Sequence, residues 1–283
     1  MRRMKIWHQS FTDLETFPRY AQTLRSHAQS VVPPEVTVEI HGLAPQTYPA
    51  SVAPMNYNAY PYLRYHNGLQ VCQAAMAAEA QSYDAMALGC FFDPALREAR
   101  SLVNIPVVSL SETSVFTACS MGRRFAMISL SEFQAQHTED LVRDYGLTSR
   151  LAGIFDMSPS ISLFELERDA GSIRERFEAA CRKAIAQGAE VIIPGDGVLN
   201  AFLVRSGIVQ MEQCVVMDPL GVLFHHAIYL ASLKKYTGLT VSRRQFYSMP
   251  PAPYYAHCHD FNGVRTMQEG DFSRGQAPAA DHL

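Results

Sequence analysis

The stretch SIRERFEAACRKAIAQGAEVIIPGDG, residues 172–197, reads as a helix delivered straight into a buried strand. Ile173, Phe177, Ala180, Cys181 and Ala184 recur at helical spacing, Arg174, Glu175, Glu178 and Arg182 take the other face, and Gly188 is placed to end the helix. Val191-Ile192-Ile193 is then an apolar run of strand length, closed by Pro194 and Gly195. A helix feeding a short, wholly apolar strand is the unit of a parallel sheet with helices on its faces. The same grammar occurs upstream: Leu69 to Ala80 is Ala-rich and helical, Asp84 to Leu88 is apolar, and Gly89 opens a turn. Each copy ends in a glycine turn that holds a residue capable of chemistry, Gly89-Cys90 in the first and Gly195-Asp196 in the second.

Outward from these two units, short apolar runs alternate with helix-length segments from Met4 to about Tyr236. Strands are expected at Met4 to His8, Val36 to His41, Asp84 to Leu88, Pro106 to Ser109, Arg124 to Ser129, Leu151 to Phe155, Glu190 to Ile193 and Cys214 to Met217. The fold class is therefore α/β. With 283 residues, 48% of them hydrophobic and 18% charged, the chain can fill one large core or two lobes of ordinary size, and two lobes are expected. Ligands of parallel α/β sheets sit beyond the carboxyl ends of the strands, so both glycine turns should face a cleft between the lobes. Residues 1–110 with 218–283 would form the first lobe, carrying Cys90, and 111–217 the second, carrying Asp196; 237–283 would be an extended tail. The Pro-, Tyr- and Asn-rich stretch Ala44 to Pro61 reads as a lid over the cleft or an irregular surface loop. The tail from Gly270 is expected to be poorly ordered or to reach a neighbouring subunit.

Charge and composition remove several function classes. Lys+Arg number 24 against 27 Asp+Glu, a net charge of -3 without a basic stripe, so no nucleic-acid partner is expected. No apolar run approaches membrane-spanning length and the first residues do not resemble a signal peptide, which points to a cytoplasmic protein with no membrane partner. The six cysteines lack paired short spacings and read as thiols. A small-molecule substrate fits best.

At the first turn, Asp93 could cap a helix with Pro94 at its first position, and amides at that helix start would lower the Cys90 thiol toward neutral pKa. At the second, a carboxylate between two glycines after a buried strand is either functional or the cap of a helix from Val198, and the two roles are compatible. His225 and His226 lie in an apolar helix and read as structural. His257-Cys258-His259-Asp260 looks metal-like, but neighbours in an extended tail do not converge on one ion, so no metal is expected.

The segment Gly89-Cys90-Phe91-Phe92-Asp93-Pro94-Ala95-Leu96-Arg97-Glu98-Ala99-Arg100, followed by Ile105-Pro106-Val107-Val108, resembles the first-cysteine motif of hydantoin and allantoin racemases in the aspartate/glutamate racemase superfamily. Met121-Gly122-Arg123-Arg124-Phe125, Arg143-Asp144-Tyr145-Gly146-Leu147 and Gly188-Ala189-Glu190-Val191-Ile192-Ile193 add to the likeness, which runs from about Met4 to Tyr236. It implies two pseudo-symmetric lobes, an active site between them, no cofactor and self-association into a homo-oligomer. It also implies one cysteine from each lobe on opposite faces of the substrate carbon. Cys90 matches the first; Asp196 stands where the second belongs, and Trp7-His8-Gln9-Ser10 replaces the family's amino-terminal Asn-Pro-Asn-Thr. Substrate-binding positions are expected at Gln9, Ser10, Phe91, Phe92, Ser111, Ser129, Gly195, Gly197 and Asn200. Asp218 matches a strand-end acid or caps the helix from Leu220.

A thiol and a carboxylate have reference pKa values of about 8.5 and 3.9, so the pair is unequal. An unequal pair suits a Cys90-dependent proton transfer at carbon on a small carboxylate, amide or cyclic ureide, as a racemase, isomerase or lyase-type step. A decarboxylase is compatible with it too. A cysteine-nucleophile amide or imide hydrolase, with Asp196 handling water, is the alternative among enzymes. A small-ligand binding protein without catalysis is the alternative outside them.

Overall fold

In the computed structural model, which describes residues 3–168 and 171–275, the first sheet grows outward from β1 (Met4–Ser10), whose last five residues are buried. Pro18 opens α1 (Pro18–Val31), which buries Tyr20, Ala21, Leu24 and Ala28 and hands the chain to β2 (Val36–His41) beside β1. Residues 42–53 lead to α2 (Pro54–Asn58) and α3 (Pro61–Ala80), each starting on a proline whose missing N–H costs a first turn nothing. Then β3 (Ala85–Gly89), buried throughout, pairs with the other edge of β1, and α4 (Leu96–Leu102) leads to β4 (Val107–Ser109). The order is β2-β1-β3-β4, all parallel.

The second sheet repeats this plan. After α5 (Leu110–Met121) come β5 (Phe125–Ser129), α6 (Glu132–Asp144), β6 (Leu151–Asp156), α7 (Leu163–Glu167), α8 (Ile173–Ala186), β7 (Val191–Pro194), α9 (Gly197–Ser206), β8 (Gln210–Met211) and β9 (Cys214–Val216). The order is β6-β5-β7-β9-β8, parallel except for the β8-β9 pair. In both sheets the founding strand has its successor on one side and the third strand on the other, so β3 and β7 hold the same place. The residues that leave those two strands are Cys90 and Asp196. Finally α10 (Pro219–Thr237) packs on α5 and against β3 and β4, burying Leu220, Leu223, Phe224 and Ala227.

The α/β class and two-lobed plan match the expectation, and all eight expected strands are present. The two-residue β8 was below the length at which periodicity speaks, and it adds a fifth strand to the second sheet. The helix read from Leu69 begins at Pro61. The expected tail also contains a helix, α11 (Ala252–Asn262), on which His257, Cys258, His259 and Asp260 lie in succession.

The stretch from Gly270 needs a larger correction, because residues 270–275 are docked on the first sheet. Phe272 is buried edge-on against Trp7, and Ser273 exchanges backbone bonds with Gly42 and Leu43 while its Oγ accepts from Leu14 N–H. Beneath it Glu39, His41 and Glu269 gather, with Lys5 and Arg274 supplying the opposite charge. One buried aromatic outweighs the polar composition that suggested disorder; residues 276–283 lie outside the described residues. No helix among the described residues is long and apolar enough to cross a membrane.

Candidate active site

The equivalent turns after β3 and β7 open on one cavity of about 60 Å³, lined by Cys90 and Asp196 together. That is room for a small ligand. The turns nearly touch: a Cβ on Gly197 would lie 2.9 Å from Tyr20 Oη and 3.6 Å from the Gly89 carbonyl oxygen. The glycine after Asp196 leaves room for the Tyr20 hydroxyl, while the Gly89 carbonyl stays at ordinary contact distance.

Asp196 caps α9. Its Oδ1 accepts from Val198 N–H at 2.8 Å and Leu199 N–H at 3.1 Å, leaving Oδ2 outside both bonds. Burial raises the carboxyl to about 6 even though those two amides favour its charge. The turn is held from the neighbouring strand end by Gln134, whose Nε2 donates to the Gly195 carbonyl at 2.7 Å. Its Oε1 accepts from Leu130 N–H and Ser129 Oγ.

Cys90 corrects an expectation. The helix after it starts only at Leu96, because Asp93 and Ala95 adopt left-handed backbone angles, φ 45° and 54°, so no ring of helix-start amides surrounds the sulfur. Among the described residues Phe92 N–H is the one donor to Sγ, at 3.5 Å. Burial pushes the thiol up, with the negative charges of Asp93 and Asp196 adding to it against the Phe92 amide. The resting state is thus a protonated thiol rather than an activated thiolate.

Asp93 is not a helix cap either. Its carboxylate takes the Tyr145 hydroxyl and Ser111 N–H, tying the Cys90 turn to the end of α6; burial lifts it to about 6. Removing that hydroxyl with Tyr145→Phe should cost about 1–2 kcal/mol of unfolding free energy, read by urea titration at pH 7, because a buried, charge-assisted bond is lost.

Of the substrate-binding positions expected from sequence, Ser10, Phe91, Phe92 and Gly197 line the cavity. The structure turns the others to supporting work. Gln9 accepts from Trp7 Nε1 and donates to the Ser10 carbonyl, both at 3.0 Å. Ser111 uses its N–H on Asp93, Ser129 donates to the Ser131 carbonyl, and Gly195 gives its carbonyl to Gln134. Asn200 Oδ1 accepts from Leu220 N–H, fastening α9 to α10. Asp218 pairs with His27 at 2.7 Å, and His225 meets the Val31 carbonyl, so neither reaches the cavity; His226 lies edge-on to Tyr229. The lid segment does contribute: Pro54, Met55 and Asn58 of α2 line the cavity.

Thr12, Tyr20, Asn58, Gln134 and Leu163 also line it and were missed by the sequence reading. They come from helices and loops, where no strand-end rule points at them; the Pro-Met-Asn-Tyr-Asn run of the lid was the one signal available for Asn58. None of the described lining residues is Lys, Arg or His. Arg64 instead stacks over Phe92 and Phe133.

A family model described as Asp/Glu/Hydantoin racemase matches residues 16–227. A hydantoin racemase from Pseudomonas sp. (strain NS671) is 29% identical over 158 residues, covering 56% of this chain and 60% of that protein, so the match spans about three fifths of the curated relative's length. Among solved structures, an allantoin racemase from Klebsiella pneumoniae superposes with a TM-score of 0.72 at 20% identity, over 88% of this chain and 94% of that one. An allantoin racemase from Pseudomonas fluorescens gives 0.69 at 23% identity, over 87% and 97%. At these identities the two structures establish the two-lobed fold.

Proposed function

Because this chain belongs to the Asp/Glu/hydantoin racemase family, we propose that it moves a proton at the carbon beside a carbonyl of a small, uncharged cyclic ureide or amide, using Asp196 and Cys90 without a cofactor. The observation that carries this reading is the placement of one carboxylate and one thiol at matching strand ends around a single cavity. An uncharged substrate fits better than a carboxylate, because no cationic side chain is among the described lining residues and the Asp196 carboxylate repels an anion, while Arg64 acts on the site only from over the Phe92 ring.

The pair sets its own roles. Near neutral pH Asp196, at about 6, is mostly ionised, while burial keeps Cys90 protonated. Asp196 then takes the proton from carbon, the C–H electrons move onto the carbonyl oxygen, and the enolate carbon recovers a proton from Cys90 on its other face. That leaves a carboxylic acid and a thiolate, a higher-energy pair that must trade a proton with solvent or with a substrate of opposite hand. Because the two hands are equal in energy, kcat/KM is the same for both, and the unequal pair should show as a larger kcat with a proportionally larger KM for the hand whose proton meets the Asp196 carboxylate.

Proton NMR in deuterated water, with the enantiomers of a 5-substituted hydantoin or of allantoin supplied separately, tests it. The expected result is loss of the α-proton signal without new products, with saturated rates and half-saturating concentrations that differ between the hands in proportion, and with Asp196→Cys narrowing that difference by restoring a matched pair. A ring-opened carboxylate or released ammonia without exchange would establish hydrolysis in its place, and binding without exchange a non-catalytic protein.

A further inference from the structure

Two hydroxyls in the cavity have a proton to give and no acceptor to receive it. Thr12 Oγ1 is buried, lines the cavity and has no hydrogen-bond partner among the described residues. Tyr20, 1% exposed, accepts from Ser10 Oγ at 3.3 Å through its hydroxyl, which leaves its own proton uncommitted. The other polar side chains are occupied. Gln134 is spent on Gly195, Leu130 and Ser129, and Asn58 is clamped between Tyr48 and Asn67. Buried donors nearly always find an acceptor, so two that converge on one cavity mark where a ligand oxygen belongs. The close approach of Gly197 to Tyr20 Oη fixes that phenol beside the Asp196 turn.

Breaking a C–H bond next to a carbonyl sends the electron pair onto that oxygen, and a site with no cationic side chain must meet the charge with neutral donors. We propose that Thr12 and Tyr20 are the oxygen-binding residues of this site, donating to the substrate carbonyl and holding the negative charge that forms there as Asp196 removes the proton. This rests on the proton-transfer reading above and adds to it the residues that stabilise the enolate. Ser10 acts through Tyr20, its donated hydrogen bond making the phenol proton a better donor.

The test is calorimetric titration of the full chain with two probes: hydantoin, which is neutral, and the barbiturate anion, a ring of similar shape that carries its charge on carbonyl oxygens. The titrations are run at pH 5, where Asp196 carries its proton as it does once the substrate's has been taken, and wild type should bind the anion more tightly there than at pH 7.5. Thr12→Val and Tyr20→Phe should each weaken the anion by ~10- to 100-fold, the range for a hydrogen bond to a charged group, and weaken hydantoin much less. Thr12→Ser should stay within about threefold of wild type, and thermal melts confirm that each variant folds. Unchanged anion affinity in both variants, or equal loss of both probes, overturns the assignment while leaving the proton-transfer reading in place. A wild-type protein that binds neither probe overturns both.

Discussion

Asp196→Asn should lower α-proton exchange on the order of 10³-fold while making the protein more stable at pH 8. The amide oxygen of asparagine accepts from Val198 and Leu199 as the carboxylate does, and asparagine caps helices as well as aspartate, so α9 keeps its start. What is lost is the base. Stability moves the other way because the folded carboxyl sits at about 6, above its unfolded value of about 3.9. The folded state then holds its proton more tightly, so the contribution of Asp196 is fully present below about pH 4 and is lost as pH rises through 6. Ionising it in place costs up to ~3 kcal/mol at pH 8, which the asparagine removes and which thermal unfolding would register as a rise of a few degrees. At pH 4 the two proteins should melt together. Exchange within tenfold of wild type, or a melting point lowered at pH 8, would refute the role given to Asp196. The same carboxylate predicts that exchange by wild type climbs as pH rises through about 6 and levels off above it.

Gly89→Ala should destabilise the protein and disable the site at once. A Cβ there would stand 2.3 Å from His8 Cε1 and 2.7 Å from its Nε2, where real side chains never approach. His8 cannot step aside easily: it is fully buried and edge-on to Phe224. Overpacking of this kind costs about 3 kcal/mol, measurable by urea titration, and because Gly89 is joined to Cys90 it should also displace the sulfur and depress exchange. His8→Ala in the same chain should return most of both losses. A single Gly89→Ala protein as stable and active as wild type would mean the imidazole does not shape the turn. Among the described residues neither His8 ring nitrogen has a hydrogen-bond partner, and burial lowers its pKa to about 3, so the ring stays neutral in the fold. Its protonation in the unfolded chain should erode stability as pH falls below about 6.5.

The architecture was legible because its signals are local. Ile173, Phe177 and Ala184 announce a helix by spacing alone, and Val191-Ile192-Ile193 can only be a strand buried on both faces. Cys90 and Asp196 stood out because a thiol and an acid at the ends of such strands are odd as packing. Gln9 and Ser10 show the limit. They are adjacent, but successive strand residues face opposite ways, and the sequence alone did not say which of them faced the cleft. Ser129 and Ser111 sat at the right strand ends, but the Ser129 hydroxyl bonds Ser131, and Ser111 stands outside the cavity lining, giving its backbone N–H to Asp93. Thr12, Tyr20 and Asn58 depend on how a loop and two helices fold back, which periodicity does not encode. Phe272 was hidden for a similar reason, since one aromatic in a polar tail has no period.

A twofold arrangement assembled from two identical chains must place the same residue in both of its slots. Here both slots are written in one reading frame, the first after β3 and the second after β7, so each can mutate without the other following. The covalent join is what permits sulfur on one side and carboxylate on the other, two unlike faces across a scaffold whose outline repeats itself.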